Sequence, residues 1–261
     1  MELNDVQRAA QEQFARQSAN YGKGHILAKL DDVKAAATHL HLPLRAAVLD
    51  VATGGGHTGL FFAELGHDVT LADLALPMLD RAAAAAAERG LLVATRQHSA
   101  EQLPYPDASF DLVTCRVAAH HFSSPPDFLR ETARVLKRGG SMLLIDRASD
   151  ADHAKAEAWM ESVEKLRDPS HHLTVTTQEW RRLCDANGLR ITHLCTQPFK
   201  QPDLSWYFET AATVPANRTQ VLALISHAPD DVRRYFQLGE EEGKIVWHWQ
   251  RLTLIATLEA H

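Results

Sequence analysis

The stretch VLDVATGGGHTG, residues 48 to 59, sets a carboxylate, Asp50, four residues ahead of the glycine series Gly54, Gly56 and Gly59, which satisfies the spacing G-x-G-x-x-G. Between a strand and a helix, such a loop offers bare backbone N–H groups to a ligand, with a freedom at positive φ that side chains deny. A pyrophosphate would gain from those N–H groups and from the helix dipole. Asp50 opposes it, because two like unit charges about 4 Å apart repel by about 4 kcal/mol at an effective dielectric near 20. Nothing basic lies between residues 46 and 66 to offset the repulsion, so the loop favours a cationic occupant without phosphate. Asp73 follows twenty-three residues later and can accept from both hydroxyls of a ribose, a role that dinucleotide folds share. Histidine pairs occur in RVAAHHF (His120, His121) and RDPSHHLT (His171, His172). Imidazole titrates near neutrality without perturbation, so these are the candidate proton acceptors.

These groups need a scaffold that brings strand ends together, and the alternation of short apolar runs with helical patterns describes one. AAVLDV (46–51), DVTLAD (68–73), LLVATRQ (91–97), FDLVTC (110–115), SMLLID (141–146) and LRITHLCT (189–196) read as strands, and KIVWHWQRLTLIATLE (244–259) as a seventh. HTGLFFAELG stops at Gly66, and LPMLDRAAAAAAERG carries Pro77 in its first turn and stops at Gly90. SSPPDFLRETARVLKRGG has a Ser cap, an apolar face and Lys137 with Arg138 in its last turn, and TTQEWRRLCDANG opens on a Thr176–Glu179 capping box. This rhythm predicts a doubly wound α/β sheet with its ligand crevice at the carboxyl ends of the strands. We expect one domain over 1–261: an N-terminal helical lid (1–42), a cofactor-binding core (43–148), and substrate-cover segments at 149–175 and 200–243 that are long for plain connections.

The chain has 261 residues, 45% hydrophobic and 23% charged, enough to bury about 70–75% of its unfolded surface without metal or disulfide staples. The net charge of −6, with Lys and Arg scattered, lacks the basic stripe that nucleic acid requires. Cys115, Cys184 and Cys195 are odd in number and form no C-x-x-C pair, which predicts buried thiols in a reducing compartment. No apolar run approaches the ~20 residues of a membrane span, and the N-terminus lacks a signal peptide's apolar stretch, so we expect a cytoplasmic chain without stable membrane insertion.

S-adenosylmethionine fits the electrostatics of the loop, since it carries a sulfonium and an α-ammonium and no phosphate. VLDVATGGGHTG, VTLADLALPML, HSAEQLPYPDASFDLVTCRVAAHHF and ETARVLKRGGSMLLID, taken in order and spacing, resemble the class I S-adenosylmethionine-dependent methyltransferases of the small-molecule type, nearest the ubiquinone and menaquinone C-methyltransferase branch. The resemblance covers about residues 45–148. It implies a Rossmann-like seven-stranded sheet of order 3-2-1-4-5-7-6 with the last strand antiparallel. It also implies that Asp50, Thr53, Gly54 and Gly56 line the methionine part, that Asp73, Leu74 and Met78 hold ribose and adenine, and that Ser99, Ala100 and Glu101 sit at the adenine edge. Arg116 would lie beside the cofactor's amino-acid end, and Tyr21 would fold over it from the lid. Three departures stand out: Ala52 replaces the first glycine of the usual motif, Ser99 replaces an acid, and Ala75 replaces a Ser or Thr helix cap.

Methyl transfer from a sulfonium is an in-line displacement, so positioning the acceptor supplies most of the catalysis, about 7–11 kcal/mol in favourable cases. His120 and His121 are the first candidates for the base, against the alternative that one of them only bonds backbone. His171 is a candidate substrate contact, against an ordinary exposed pair with His172, and one of Trp206, Tyr207 and Phe208 should wall the acceptor pocket. Arg116 points to the cofactor's carboxylate, against the alternative of a surface ion pair, and Trp247 and Trp249 read as core. No metal is required. The expected partners are a small-molecule acceptor and, optionally, a second copy in a homodimer. Two other classes stay open: an NAD-dependent oxidoreductase, and a non-catalytic S-adenosylmethionine-binding protein.

Overall fold

Strand β1 (Ala47–Val51) is buried along almost its whole length because it runs through the middle of the sheet, with β2 (Asp68–Asp73) on one side and β4 (Phe110–Arg116) on the other, both parallel to it. The computed structural model describes residues 2–21 and 26–259. Ahead of the sheet lie α1 (Asp5–Gln17) and α2 (Asp31–Ala37). After β1 come α3 (His57–Glu64), β2, α4 (Leu76–Glu88), β3 (Ala94–Gln97), β4, α5 (Pro125–Val135) and β5 (Leu136–Arg147). Then follow α6 (Ala154–Arg167), α7 (Thr177–Ala186), β6 (Leu189–Lys200), α8 (Leu204–Thr210), α9 (Pro215–Ser226) and α10 (Asp230–Tyr235). A small hairpin, β7 (Gly239–Glu241) with β8 (Lys244–Val246), precedes β9 (His248–Leu258).

The seven-stranded sheet has the order β3-β2-β1-β4-β5-β9-β6, with β9 antiparallel to both of its neighbours. This is the expected 3-2-1-4-5-7-6 arrangement, the last strand being ninth in the chain because of the hairpin. Strand order reverses between β1 and β4, and the crevice at that switch point is where α/β sheets bind ligands.

Alternate residues along each central strand feed two separate cores, since successive side chains of a strand point to opposite faces. Leu49, Val113 and Leu144 pack with Phe128, Leu129 and Trp180 on one face. Val48, Leu112 and Leu143 pack with Leu60, Ala82 and Ala86 on the other. A third apolar cluster ties the cover helices together through Met160, Tyr207, Val221, Phe236 and Trp247. The Trp247 expectation therefore holds at 3% exposure, whereas Trp249 is only half-buried.

Several sequence expectations change in detail. Helix α5 ends at Val135 rather than at the paired glycines, because Leu136 turns extended (φ −70, ψ 137) to pair with Phe110 and bury in the core. Lys137–Gly140 belong to a bulged start of β5, where the register shifts between Phe110 and Leu112. Strand β3 is shorter than expected, and its residues are exposed at the sheet edge. Cys115 and Cys184 are buried, but Cys195 is exposed on the outer strand β6.

The glycine loop is shaped by two steric facts. A Cβ on Gly59 would collide with Leu71 and come within 3.0 Å of the Asp50 carboxylate, so only glycine lets α3 approach β1 and β2 this closely. Ala52, in place of the family's first glycine, is held at φ 53, in the left-handed region that penalises a Cβ. We expect Gly59→Ala to lower stability by about 1–3 kcal/mol and Ala52→Gly to raise it by about 1 kcal/mol. Thermal unfolding should therefore show melting shifts of a few degrees in opposite directions.

Candidate active site

At the switch point Asp50 is 1% exposed and its oxygens are fully engaged. Oδ2 accepts from the Thr53 hydroxyl at 2.5 Å and from the Gly59 N–H at 3.0 Å, while Oδ1 accepts from the Thr114 hydroxyl at 2.5 Å. Burial pushes this carboxyl up, against the pull of the two threonine hydroxyls. Asp50 thus fastens β1, β4 and the start of α3 to the loop and does not itself line the cleft. The charge invoked to choose the loop's occupant sits one layer behind the wall. That is a correction to the direct-contact role expected of it, and it follows from the two threonines that close over the carboxylate.

The carboxylate that does face the cleft is Asp73, at the end of β2. It receives the Gly54 N–H on Oδ2 and the Ala75 N–H on Oδ1, each at 2.9 Å, which leaves one lone pair per oxygen for a ligand. Burial raises its carboxyl to about 6. The cleft is also lined by Thr53, Gly54, Leu74, Ala100, Glu101, Arg116 and Tyr21. Three other expected members stand behind it: Gly56 (φ 83) caps α3, Met78 is fully buried, and Ser99 is 5% exposed and gives its place at the cleft to His98. The absent Ser or Thr cap at Ala75 is real: α4 has no side-chain cap, and the Ala75 N–H serves Asp73 instead.

The lid closes the cleft in a way the sequence only hinted at. Gln7, Ala10, Gln11 and Phe14, spaced as one stripe of α1, line its outer wall. Gln7 Nε2 donates to Glu101 at 2.8 Å, Gln11 Nε2 to the Leu74 carbonyl at 3.0 Å, and Gln13 Nε2 reaches across to the Ala211 carbonyl at 2.7 Å. Tyr21 lies against the glycine loop, and a Cβ on Gly55 would strike its carbonyl oxygen. Burial pushes the Tyr21 phenol up. His57 and His98, which sequence reasoning passed over, line the cleft too; burial holds His57 down to about 4, and its Nε2 has no hydrogen-bond partner among the described residues. His57 was visible only as a variable position of the glycine motif.

Arg116 points at neither a surface acid nor open solvent. Its Nε and Nη2 bond Asp32 of α2 at 3.1 and 2.9 Å, and its remaining donors hold the carbonyls of Leu27 and Lys29. One guanidinium therefore fixes the second half of the lid to the tip of β4. Val117, next in the chain, is held at φ 54, which is unusual for a β-branched residue and typical of strain kept at functional sites.

A second cavity adjoins the first and shares Phe14, Tyr21, Leu27, Val117 and His121 with it. His120, His171, Trp206, Phe199, Gln201, Trp249 and Arg251 complete much of its wall. Trp206 is thus the member of its aromatic triplet that faces a cavity, while Tyr207 and Phe208 are buried. The His120 ring places Nδ1 2.7 Å from Asp146, a carboxylate 1% exposed at the end of β5. Burial pushes the imidazole down, but the Asp146 charge and hydrogen bond override it, and the net shift is upward. His121 differs: its Nδ1 lies 2.9 Å from the Ser170 carbonyl, and burial with the neighbouring His120 holds it well below the usual range. His171 is buried and its Nε2 meets Glu161 at 2.9 Å, so it is not the exposed pair considered from the sequence. Among the described residues, no cluster of His, Cys, Asp or Glu is arranged to hold a metal ion, and no helix is long and apolar enough to cross a membrane.

A doubly wound sheet with an antiparallel β9, a glycine loop at the switch point and a ribose-type acid on β2 define the Rossmann-like class of methyltransferase folds. Comparison with known proteins agrees: residues 49–144 match the methyltransferase domain family. The uncharacterized methyltransferase YcgJ of Bacillus subtilis is 33% identical over 225 residues, 85% of this chain and 88% of that protein. The YcgJ crystal structure superposes with a TM-score of 0.81 at 30% identity, covering 88% of this chain and 98% of the other. Demethylmenaquinone methyltransferase of Deinococcus radiodurans is 39% identical over 114 residues, 43% of this chain and 46% of that one. Geranyl diphosphate C-methyltransferase from Streptomyces coelicolor, solved with S-adenosyl-L-homocysteine, shares the fold at a TM-score of 0.63 and 16% identity, over 87% of this chain and 77% of that one. The chain belongs to the class I S-adenosylmethionine-dependent methyltransferases, and the NAD-dependent oxidoreductase reading is set aside.

Asp32 compensates two buried guanidiniums, those of Arg116 and Arg251. Asp32→Asn should therefore destabilise the fold by about 3–5 kcal/mol, the usual penalty for stripping the partner from a buried charge. Urea unfolding of the variant checks this, and a loss below about 1 kcal/mol would place the pair among weak surface bridges.

Proposed function

We propose that this methyltransferase acts on a small-molecule acceptor bound in the second cavity. The observation that carries the reading is the shared wall: a second cavity opens beside the cofactor cleft through Phe14, Tyr21, Val117 and His121. The lid and the cover helices enclose it, which suits a compact acceptor and excludes water from the reacting atoms.

The cleft suits S-adenosylmethionine on the chemistry of its wall. Asp73 has free lone pairs for ribose hydroxyls, Gly54 and Gly55 allow close approach by the methionine part, and Leu74, His98, Ala100 and Glu101 offer an edge for adenine. When bound, the cofactor supplies an electrophilic methyl group on a sulfonium. Arg116 then acts at one remove, since its donors hold the lid that covers the amino-acid end.

The chain's remaining task is to orient the acceptor and take its proton. With Nδ1–H donated to Asp146, His120 turns its Nε2 lone pair outward, and the buried carboxylate stabilises the imidazolium that results. His121 stays neutral across the physiological range and serves as a wall, its ring met edge-on by Phe14 at 4.8 Å. His171 and Trp206 contact the acceptor from the cover side.

Two outcomes test this. His120→Ala should lower kcat by about 10²–10⁴-fold across an acceptor panel while the dissociation constant for S-adenosylhomocysteine stays unchanged. The wild-type rate should rise with pH through a limb above 6.5, and Asp146→Asn should move that limb to lower pH by removing the charge that favours imidazolium. A pH profile identical in the two proteins would remove His120 from the chemistry. For the cofactor, a protonated Asp73 loses an acceptor, so S-adenosylhomocysteine affinity should weaken as pH falls below about 6. Asp73→Asn should bind about 1–3 kcal/mol more weakly with no such pH dependence; calorimetry between pH 5 and pH 8 decides it.

A further inference from the structure

We propose that the acceptor carries an anionic group, a carboxylate or a phosphate, received by Arg251 on the wall of the second cavity. The inference rests on the small-molecule reading above and names the acceptor's charge. Strands β6 and β9 pair antiparallel with Phe199 opposite Trp249 and Gln197 opposite Arg251, and alternate residues share a face. That register puts Phe199, Gln201, Trp249 and Arg251 together along the cavity.

The charge balance around Arg251 is uneven. Its one hydrogen bond among the described residues runs from Nη1 to Asp32 Oδ2 at 3.2 Å, but Asp32 is already held by two bonds from Arg116. The side chains of Arg116, Asp32 and Arg251 are 5%, 9% and 11% exposed, so two largely buried guanidiniums share the one carboxylate that bonds Arg251. Burial and the nearby Arg116 charge pull Arg251 down to about 10, the direction a site short of negative charge produces. The other carboxylate whose field reaches it, Asp146, bonds His120 and the Arg147 N–H. The other two arginines of the cavity are matched: Arg147 by Glu157 and Glu161, and Arg167 by Glu164. Asp168, the remaining acid of the wall, is bonded by the Ser170 hydroxyl and N–H.

Geometry leaves Arg251 ready for an anion. Its guanidinium carbon lies 3.3 Å from the centre of the Phe199 ring, which fixes the plane and leaves the edges with their donors for a ligand. Beside it, Gln201 is completely buried and Trp249 half-buried; Gln201 Oε1 and the Trp249 indole N–H have no partner among the described residues. Gln201 Nε2 is engaged by the Phe199 carbonyl, which settles the amide orientation. A ligand with an anion at Arg251, an apolar body against the ring faces of Trp249 and Trp206, and a hydroxyl that donates to Gln201 Oε1 and accepts from the Trp249 indole N–H satisfies all of these groups at once. The cofactor's own carboxylate is the competing source of negative charge, but Arg251 does not line the cofactor cleft, whereas Arg116 does.

The test uses protein saturated with S-adenosylhomocysteine, whose own binding is measured first, so that failure of the methyltransferase reading would show before any acceptor probe is added. Benzoate, phenyl phosphate, benzamide and benzyl alcohol are then titrated by calorimetry and by melting temperature. Benzoate or phenyl phosphate should bind at least about tenfold more tightly than the neutral pair, and the better of the two identifies the anion. Arg251→Gln should abolish that preference, Arg251→Lys should retain part of it, and S-adenosylhomocysteine affinity should stay within about threefold of wild type. Equal binding of benzoate and benzamide, no binding of any probe at millimolar concentration, or a preference surviving Arg251→Gln would overturn the proposal. A tenfold loss of S-adenosylhomocysteine affinity in that variant would overturn it as well, by assigning the charge to the cofactor. The comparison of probes on the wild-type protein stands even if Arg251→Gln fails to fold.

Discussion

A carboxylate sealed inside a protein must be met by donors or it unfolds its surroundings, and Asp50 turns that constraint into architecture. Its three donors come from three elements: Thr53 from the loop, Thr114 from β4 and Gly59 from α3. Satisfying it therefore fixes how far the loop rises, how closely α3 approaches the sheet and where β4 ends. The consequence passes along the loop to Gly54, whose N–H is brought to Asp73, and so sets the acid that faces the cleft from the end of β2.

A second charged centre performs the corresponding task for the lid. Arg116, anchored at the tip of β4, gathers Leu27, Lys29 and Asp32, while α1 is held by glutamine bonds to Glu101 and Leu74. Because Asp32 also touches Arg251 of β9, the lid, the cofactor cleft and the acceptor cavity meet at one buried ion cluster. The strained backbone at Val117 lies where the two cavities join.

Two adjacent histidines then acquire different chemistry from their partners alone. His120 meets a carboxylate and is shifted up; His121 meets a backbone carbonyl and is shifted down. Sequence presents them as equals, and only the end of β5, folded back beside them, gives one imidazole a carboxylate partner and leaves the other without one.

The amino-acid sequence alone determined the alternation of strands and helices, the strand order through its family resemblance, the glycine turn and Asp73, because these depend on local pattern and on spacing within a few turns of chain. It also marked Tyr21, Trp206 and His171 as residues of the covering segments. It could not show that Asp50 hides behind two threonines, since Thr114 lies sixty-four positions away, nor that Met78 and Ser99 face inward while His57 and His98 face the cleft. Helix α5 ended early for a similar reason: burial of Leu136 against Phe110 outweighed the local stop signals. The second cavity is the part decided by tertiary structure alone. Its walls come from the lid, the cover helices and two antiparallel strands, and charge and register across such distances are set by packing rather than by any local run of residues.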